Sequence, residues 1–210
     1  MKNSFILFVC FSLISLQSHS AAHFEYNSGE FFACYTKIES KAAFEQHSRT
    51  GPYADVAVKI GDGLLVFSRS SSYLPYWQYG EQRWLLDELV ERNGDGPPER
   101  PDRINRYSHV RIIENTPEQV VVHWRYVPDF NTPGPDGWVD EYFKVTPDGR
   151  CIRSFRHGAE KLLDWENPAN LRIQELQLTT TGWTLIAQQT GDSETVRDEL
   201  AQLISCYQQE

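Results

Sequence analysis

Short apolar or β-branched segments, each closed by a turn rich in Gly, Pro, Asp or Asn, recur along the chain from residue 31 to residue 190. This rhythm is typical of antiparallel β-sandwiches and barrels. In the clearest case, Pro147, Asp148 and Gly149 separate the run 139–145 from the run 151–156. Proline presets φ for a turn and glycine supplies a positive φ, so these two runs are predicted to form a hairpin.

Three further hairpins are predicted from the same kind of pattern. They join residues 55–60 to 64–68, residues 110–113 to 120–126, and residues 172–180 to 184–189. Residues 93–106 contain glycines and prolines that exclude both helix and central strand, so we predict a long exposed loop there. The predicted fold class is therefore all-β, an antiparallel β-sandwich.

A short C-terminal α-helix is predicted to follow the strands. Asp192 or Ser193 can cap its N-terminus, and apolar residues then recur at helical spacing. These residues are Val196, Leu200, Leu203, Ile204 and Tyr207. An apolar helix face has to dock, either on a sheet of this domain or on a further domain.

The first residues have the pattern of a secretory signal peptide. Lys2 supplies a positive charge, residues 5–16 are mostly apolar, and residues 20–22 are small, as signal peptidase requires. The apolar run is shorter than the roughly 20 residues that cross a bilayer as a helix. We expect a secreted or periplasmic protein with no transmembrane segment after signal removal. The expected division is a signal peptide over residues 1–22, a β-sandwich domain over 23–190 and the helix over 191–210.

Three cysteines, Cys34, Cys151 and Cys206, follow the predicted signal peptide. In an oxidising compartment this odd number allows at most one bridge within the chain. We expect Cys34 to pair with Cys151, because both lie in predicted strands. The alternative is that all three are small buried apolar residues.

Composition excludes several classes of function. The formal net charge of -9 argues against a nucleic-acid partner, because such proteins need a basic face that displaces counterions from phosphate. The sequence also lacks Cys/His metal spacing, a nucleophile elbow and a phosphate-binding glycine loop, so we expect no metal and no cofactor. Aromatic residues make up 13% of the chain, and in exported proteins some aromatics stack on sugar rings.

Tyr, His and Arg side chains are predicted to gather on one face of the hairpin formed by residues 107–127, because strand side chains alternate between faces. If Arg111 lies opposite His123, then His109 lies opposite Arg125 and Tyr107 lies near Val127. The other face is then apolar: Val110, Ile112, Val122, Trp124 and Tyr126.

This polar face suggests a chemistry. Lyases that cleave uronic-acid polysaccharides neutralise a carboxylate with a cation and remove the neighbouring proton with a Tyr or His base. The candidate catalytic residues are Tyr107, His109, Arg111, His123 and Arg125. The guanidinium groups should also disfavour the imidazolium form and suit the carboxylates of acidic glycans. The alternative is an ordinary solvent-facing strand surface on which each Arg pairs with Asp or Glu.

Aromatic residues cluster around Pro75 and Gly80, in a region predicted to be irregular rather than a regular strand. The candidate substrate-binding residues are Tyr73, Tyr76, Trp77 and Trp84. Loop aromatics can stack on sugars, and the alternative is that these side chains plug the end of the sandwich.

The predicted hairpin 139–157 is rich in charge. Asp140 and Arg156 are predicted to be cross-strand partners, and a surface ion pair accounts for them. No spacing singles out two carboxylates as a glycosidase pair, so no hydrolase is assigned.

Seven segments carry a resemblance to a known group of proteins. They are GPYADV (51–56), FSR (67–69), SYLPYW (72–77), GDG (94–96), YSHVRIIE (107–114), VHWRY (122–126) and VDEYF (139–143). Over about residues 24–183 the chain resembles the N-terminal region of large, secreted, mostly uncharacterised bacterial proteins associated with polysaccharide degradation. The resemblance implies a mutarotase-like β-sandwich and implies no catalytic residues. Because the chain ends soon after the sandwich, we expect a shortened relative without later domains.

These observations predict a secreted, carbohydrate-interacting β-sandwich module that binds or processes polysaccharide or oligosaccharide. One alternative is a polysaccharide lyase acting on uronic-acid-containing glycans. Another is a structural or interaction module without a glycan site. The sequence leaves the oligomeric state open.

Overall fold

The computed structural model describes residues 30–38, 55–86, 108–126, 139–157, 167–191 and 194–208. The predicted signal peptide (1–22) and the predicted loop (93–106) lie outside the described residues. The described strands form two antiparallel sheets, which confirms the predicted all-β sandwich. Sheet A contains β1 Phe31–Thr36, β2 Asp55–Ile60, β3 Gly63–Phe67, β4 Pro75–Tyr79 and β5 Gln82–Leu85. Sheet B contains β6 Ser108–Asn115, β7 Val120–Tyr126, β8 Val139–Val145, β9 Arg150–His157, β10 Leu171–Thr179 and β11 Gly182–Thr190.

Each sheet follows the order of the chain, from β1 to β5 in sheet A and from β6 to β11 in sheet B. The four predicted hairpins are present as β2–β3, β6–β7, β8–β9 and β10–β11. A fifth hairpin, β4–β5, occupies the region that was predicted to be irregular. Gly80 lies in its turn with a φ of 59°, a conformation that glycine adopts without the strain of a side chain.

The hydrophobic core lies between the sheets and follows strand alternation. On β7, Val122, Trp124 and Tyr126 point into the core. The rings of Trp124 and Tyr126 are stacked with centroids 4.0 Å apart. At the edge where β1 meets β6, the Asn115 side chain accepts from the Ala33 N–H and donates to the Ala33 carbonyl, both at 2.9 Å. The apolar face predicted for the β6–β7 hairpin is therefore the face that joins the sheets.

The C-terminal helix α1, Glu194–Gln208, packs on the outer face of sheet B. Val196 is fully buried and lies in an apolar cluster with Leu171 and Ile173 of β10. Further along the helix, the Glu199 carboxylate lies 2.6 Å from Lys144 Nζ and accepts a hydrogen bond from Ser154 Oγ. The helix thus docks on a sheet of its own domain, the first of the two predicted alternatives. In the described part of the chain, no helix combines the length and apolar character needed to span a membrane.

The expected bridge between Cys34 and Cys151 is wrong, because both residues are free thiols. Cys34 of β1 packs with Ala57 and Val66 in a cluster separate from the main core. Cys151 of β9 is buried in the main core between the sheets. The two sulfur atoms therefore belong to different layers of the fold. Cys151 agrees with the alternative prediction, in which the cysteines are small buried apolar residues. The Cys206 side chain lies outside the described residues.

Thiol reactivity tests this arrangement. Burial raises the pKa of the Cys151 thiol to about 12. A water-soluble disulfide reagent should label Cys34 in the folded protein and Cys151 only after unfolding, as mapped by mass spectrometry.

The raised pKa of Cys151 also predicts a pH dependence of stability. Because the Cys151 thiol of the unfolded chain loses its proton at an ordinary pKa of about 8.5, the stability that Cys151 contributes should be lost as pH rises from there toward 12. That loss should be absent from Cys151→Ala, whereas a Cys34–Cys151 bridge in unreduced peptides would contradict the prediction.

Candidate functional site

The β6–β7 hairpin has the register under which the sequence places Tyr, His and Arg side chains on one face. His109 lies opposite Arg125, and Arg111 lies opposite His123. All four side chains lie on the outer face of sheet B, because the alternate positions of the hairpin fill the core. The fifth candidate, Tyr107, lies outside the described residues. The structure therefore brings two His and two Arg residues onto one surface, which we call the cationic face.

His123 is the buried centre of the cationic face, with only 5% of the residue exposed. Its Nε2 lies 2.7 Å from Asp140 Oδ1, and its Nδ1 accepts a hydrogen bond of 3.2 Å from Arg111 Nε. The ring also stacks on Tyr142 with centroids 4.6 Å apart. Both ring nitrogens are thus engaged by charged neighbours on the adjacent strands β6 and β8.

The hydrogen bonds assign the tautomer of His123. A guanidinium N–H can only donate, so Nδ1 must carry the lone pair that accepts it. Nε2 then carries the hydrogen and donates to the Asp140 carboxylate. His123 is therefore neutral in this arrangement and holds Arg111 and Asp140 at fixed positions, as expected of a positioning residue rather than a base.

Asp140 is the carboxylate at the centre of this group. It is 4% exposed, and Arg125 Nε lies 3.8 Å from its Oδ1. The register places Arg156 of β9 directly opposite Asp140, as the sequence predicted. The expected surface ion pair is wrong in one respect, because Arg156 is only 1% exposed and Asp140 is buried with it.

Three arginines lie around the Asp140 carboxylate. Arg125 approaches it directly, Arg111 contacts its partner His123, and Arg156 lies opposite it on β9. Arg125 is partly open to solvent, with 40% of its side chain exposed. Guanidinium groups held on one surface can bind an anionic group of a ligand through charge-assisted hydrogen bonds.

The predicted substrate-binding aromatics occupy different positions from those expected. Tyr76 and Trp77 belong to β4 and Trp84 to β5, so they lie in regular strands. Tyr73, Tyr76 and Trp77 are buried, and Trp84 is partly buried against the main core. Pro75 did not prevent a strand because it is the first residue of β4, a position that needs no ladder donor. Sugar rings have no access to the buried faces of Tyr73, Tyr76 and Trp77 in this structure.

A second polar group, inside the sandwich, was missed from the sequence. Arg153 donates to both oxygens of Glu141, from Nε and from Nη2, at 2.6 Å each. Tyr126 Oη donates to Glu141 Oε1 at 2.7 Å, and Arg153 Nη1 donates to the side-chain oxygen of Gln174. Glu141 is 0% exposed and Arg153 is 2% exposed. The sequence carries one signal for this pair, the alternation of side chains along a strand. Glu141 lies two residues after Val139, so both occupy inward positions of β8.

Comparison with known proteins gives no further constraint: no family model, curated protein or solved structure matches this chain. The function has to be argued from the site alone.

Proposed function

We propose that this protein is an extracytoplasmic β-sandwich that binds polysaccharide through the cationic face of sheet B. The observation that carries the proposal is the hydrogen-bonded chain from Arg111 through His123 to Asp140, with Arg125 beside it. Such a chain fixes guanidinium groups in place, and an arginine that is already oriented loses less conformational freedom when it binds a carboxylate. The expected signal peptide would bring this face into contact with external glycans.

The geometry supports charge recognition over aromatic stacking. Three of the four candidate stacking residues are buried, whereas Arg111 and Arg125 are partly exposed. The ligand that this face would recognise is therefore a glycan bearing carboxylate groups, such as a uronic-acid polymer, because carboxylates accept paired hydrogen bonds from guanidinium.

Binding without catalysis is the form of the proposal that the described residues favour. A lyase needs a base beside the neutralised carboxylate. His123 cannot take that part without breaking a contact, because Arg111 occupies its Nδ1 and Asp140 faces its Nε2. The lyase alternative therefore depends on His109 or on Tyr107, which lies outside the described residues.

Arg125→Ala tests the proposal with tetragalacturonate as the acidic ligand and a neutral tetrasaccharide as the comparison. Losing one charge-assisted contact of about 1.5 to 3 kcal/mol should weaken tetragalacturonate binding roughly tenfold or more. The difference between the two proteins should shrink as salt is raised, because salt screens exposed charges. Isothermal titration calorimetry at two salt concentrations measures both effects.

Arg150→Ala is the matched control, because Arg150 is another half-exposed arginine of sheet B and pairs with Glu175. It should bind tetragalacturonate as the unchanged protein does. Equal affinity of the Arg125→Ala and unchanged proteins for the acidic ligand would overturn the proposal, as would the absence of any binding by the unchanged protein.

A further inference from the structure

The largest exposed apolar side chains lie mainly at one edge of the sandwich. Ile186 and Leu185 of β11 are 60% and 44% exposed, and Leu85 of β5 is 45% exposed. These two edge strands are neighbours, since Trp183 Nε1 donates to the Leu85 carbonyl at 2.9 Å. Three of the four large exposed hydrophobic residues of the described chain therefore share the edge formed by β5 and β11, which we call the apolar edge.

Three successive residues of β11, Thr184, Leu185 and Ile186, are exposed, and a β-bulge lies at this point of the strand. Glu175 pairs with Ala187 and Leu176 pairs with Leu185, so Ile186 is an extra residue in the ladder. The extra residue interrupts the alternation that would otherwise send Leu185 and Ile186 to opposite faces. The bulge therefore concentrates apolar surface at this point of the strand.

β11 has one feature that protects natural edge strands from pairing with another strand, its bulge, but it lacks protective charged residues and proline. It is the last strand of sheet B, it is 9 residues long, and it contains no charged residue and no proline. At the other end of the sandwich, the Asn115 side chain caps the edge strand β1, because it forms hydrogen bonds with both the N–H and the carbonyl of Ala33. Among the described residues, no side chain caps the backbone of residues 184–188 in this way.

We propose that a second copy of this chain docks at the apolar edge by antiparallel pairing of β11 with β11. Unpaired backbone N–H and C=O groups at a sheet edge select an extended strand as their partner. Two copies with a net charge of -9 each repel one another at charged surfaces, whereas β11 is uncharged along its whole length. A twofold axis beside Ile186 brings neutral strands together and places the exposed apolar residues of the two copies in contact.

The association is weak, because one strand pair and three apolar side chains form a contact below the 1,200 to 2,000 Å² or so of standard interfaces. We expect the dimer to form only toward the millimolar end of the concentration range and to be in exchange with the monomer. This inference is independent of glycan binding, because the apolar edge and the cationic face lie at opposite ends of sheet B.

Sedimentation velocity of the purified protein from micromolar to millimolar concentration tests the inference. The unchanged protein should show a reversible, concentration-dependent shift to the dimer mass. Ile186→Lys should raise the dissociation constant at least tenfold, because two lysines would meet across the axis. Tyr35→Lys is the control, since it adds the same charge at a residue that is 47% exposed on the β1 edge, and it should leave the dimer unchanged. This variant also removes the hydrogen bond that Tyr35 Oη accepts from the Ile112 N–H, so circular dichroism should first show that its fold is unchanged.

Ile186→Thr provides a second variant that keeps a β-branched side chain suited to a strand while removing apolar surface. It should also weaken the dimer, and circular dichroism should show an unchanged fold. A monomer at every concentration, a dimer that resists both Ile186 variants, or an equal response to Tyr35→Lys would each refute pairing at β11.

Discussion

Glu141→Gln should destabilise the protein by about 3 to 5 kcal/mol, because it leaves the Arg153 guanidinium buried without its countercharge. Arg153 is 2% exposed and makes two hydrogen bonds of 2.6 Å to the Glu141 carboxylate. Water cannot replace the lost charge at a site this deep in the sandwich. Urea unfolding followed by tryptophan fluorescence measures the free energy of unfolding directly.

Two comparisons separate a buried charge from a general loss of contact. Arg150→Met removes another Arg–Glu pair with a 2.6 Å contact, but the Arg150 side chain is 50% exposed, so the cost should be roughly 0 to 1 kcal/mol. The double variant Glu141→Leu with Arg153→Met removes both buried charges and should recover much of the stability lost by Glu141→Gln. If Glu141→Gln were no more costly than Arg150→Met, the ion pair would not be buried as described.

Strand alternation accounts for what the sequence could predict. On β7 the apolar residues Val122 and Trp124 alternate with His123 and Arg125, so the pattern fixes which face of the hairpin points inward. A one-residue slip would have exposed the core residues and buried the arginine. Alternation therefore predicts that the residues of the cationic face share one surface. It does not by itself fix which of them lie opposite one another, because a two-residue shift keeps the same faces.

The contacts of His123 did not follow from the hairpin, because one of them comes from a third strand. Asp140 lies on β8, and its 2.7 Å contact with His123 Nε2 depends on how β8 is placed beside β7. The sequence predicts Asp140 as a cross-strand partner of Arg156 and gives no sign of its contact with His123. Pairing inside a hairpin is set by local pattern, whereas a side chain shared among three strands depends on rotamers and on the register of two ladders.

The sequence does not reveal the buried ion pair, because charged residues are ordinarily exposed. Glu141 and Arg153 each occupy an inward position between apolar residues of their strands, and opposite charges at two such positions on neighbouring strands satisfy each other. The rule that charged residues are exposed fails for such a pair. The alternation of inward and outward side chains along the strand predicts the burial of these two residues better than their charge does.

Trp77→Ala should destabilise the protein by about 3 to 5 kcal/mol, the usual cost of removing a large buried aromatic side chain. Trp77 is 2% exposed, and its indole ring covers Gly63, where a Cβ would overlap the ring atoms. Its Nε1 also donates a 2.7 Å hydrogen bond to the Thr179 carbonyl, which ties sheet A to sheet B. Thermal unfolding should therefore show a lower midpoint for Trp77→Ala.

Trp84→Ala is the internal comparison, because Trp84 is the cross-strand partner of Trp77 but is only partly buried. Its stability loss should be smaller, since less apolar surface becomes exposed. A stacking platform for sugars would give the opposite pattern, in which Trp77→Ala loses affinity for a neutral tetrasaccharide while its free energy of unfolding is unchanged. We expect stability, not affinity, to respond, because a ring that fills the space above Gly63 cannot also lie against a ligand.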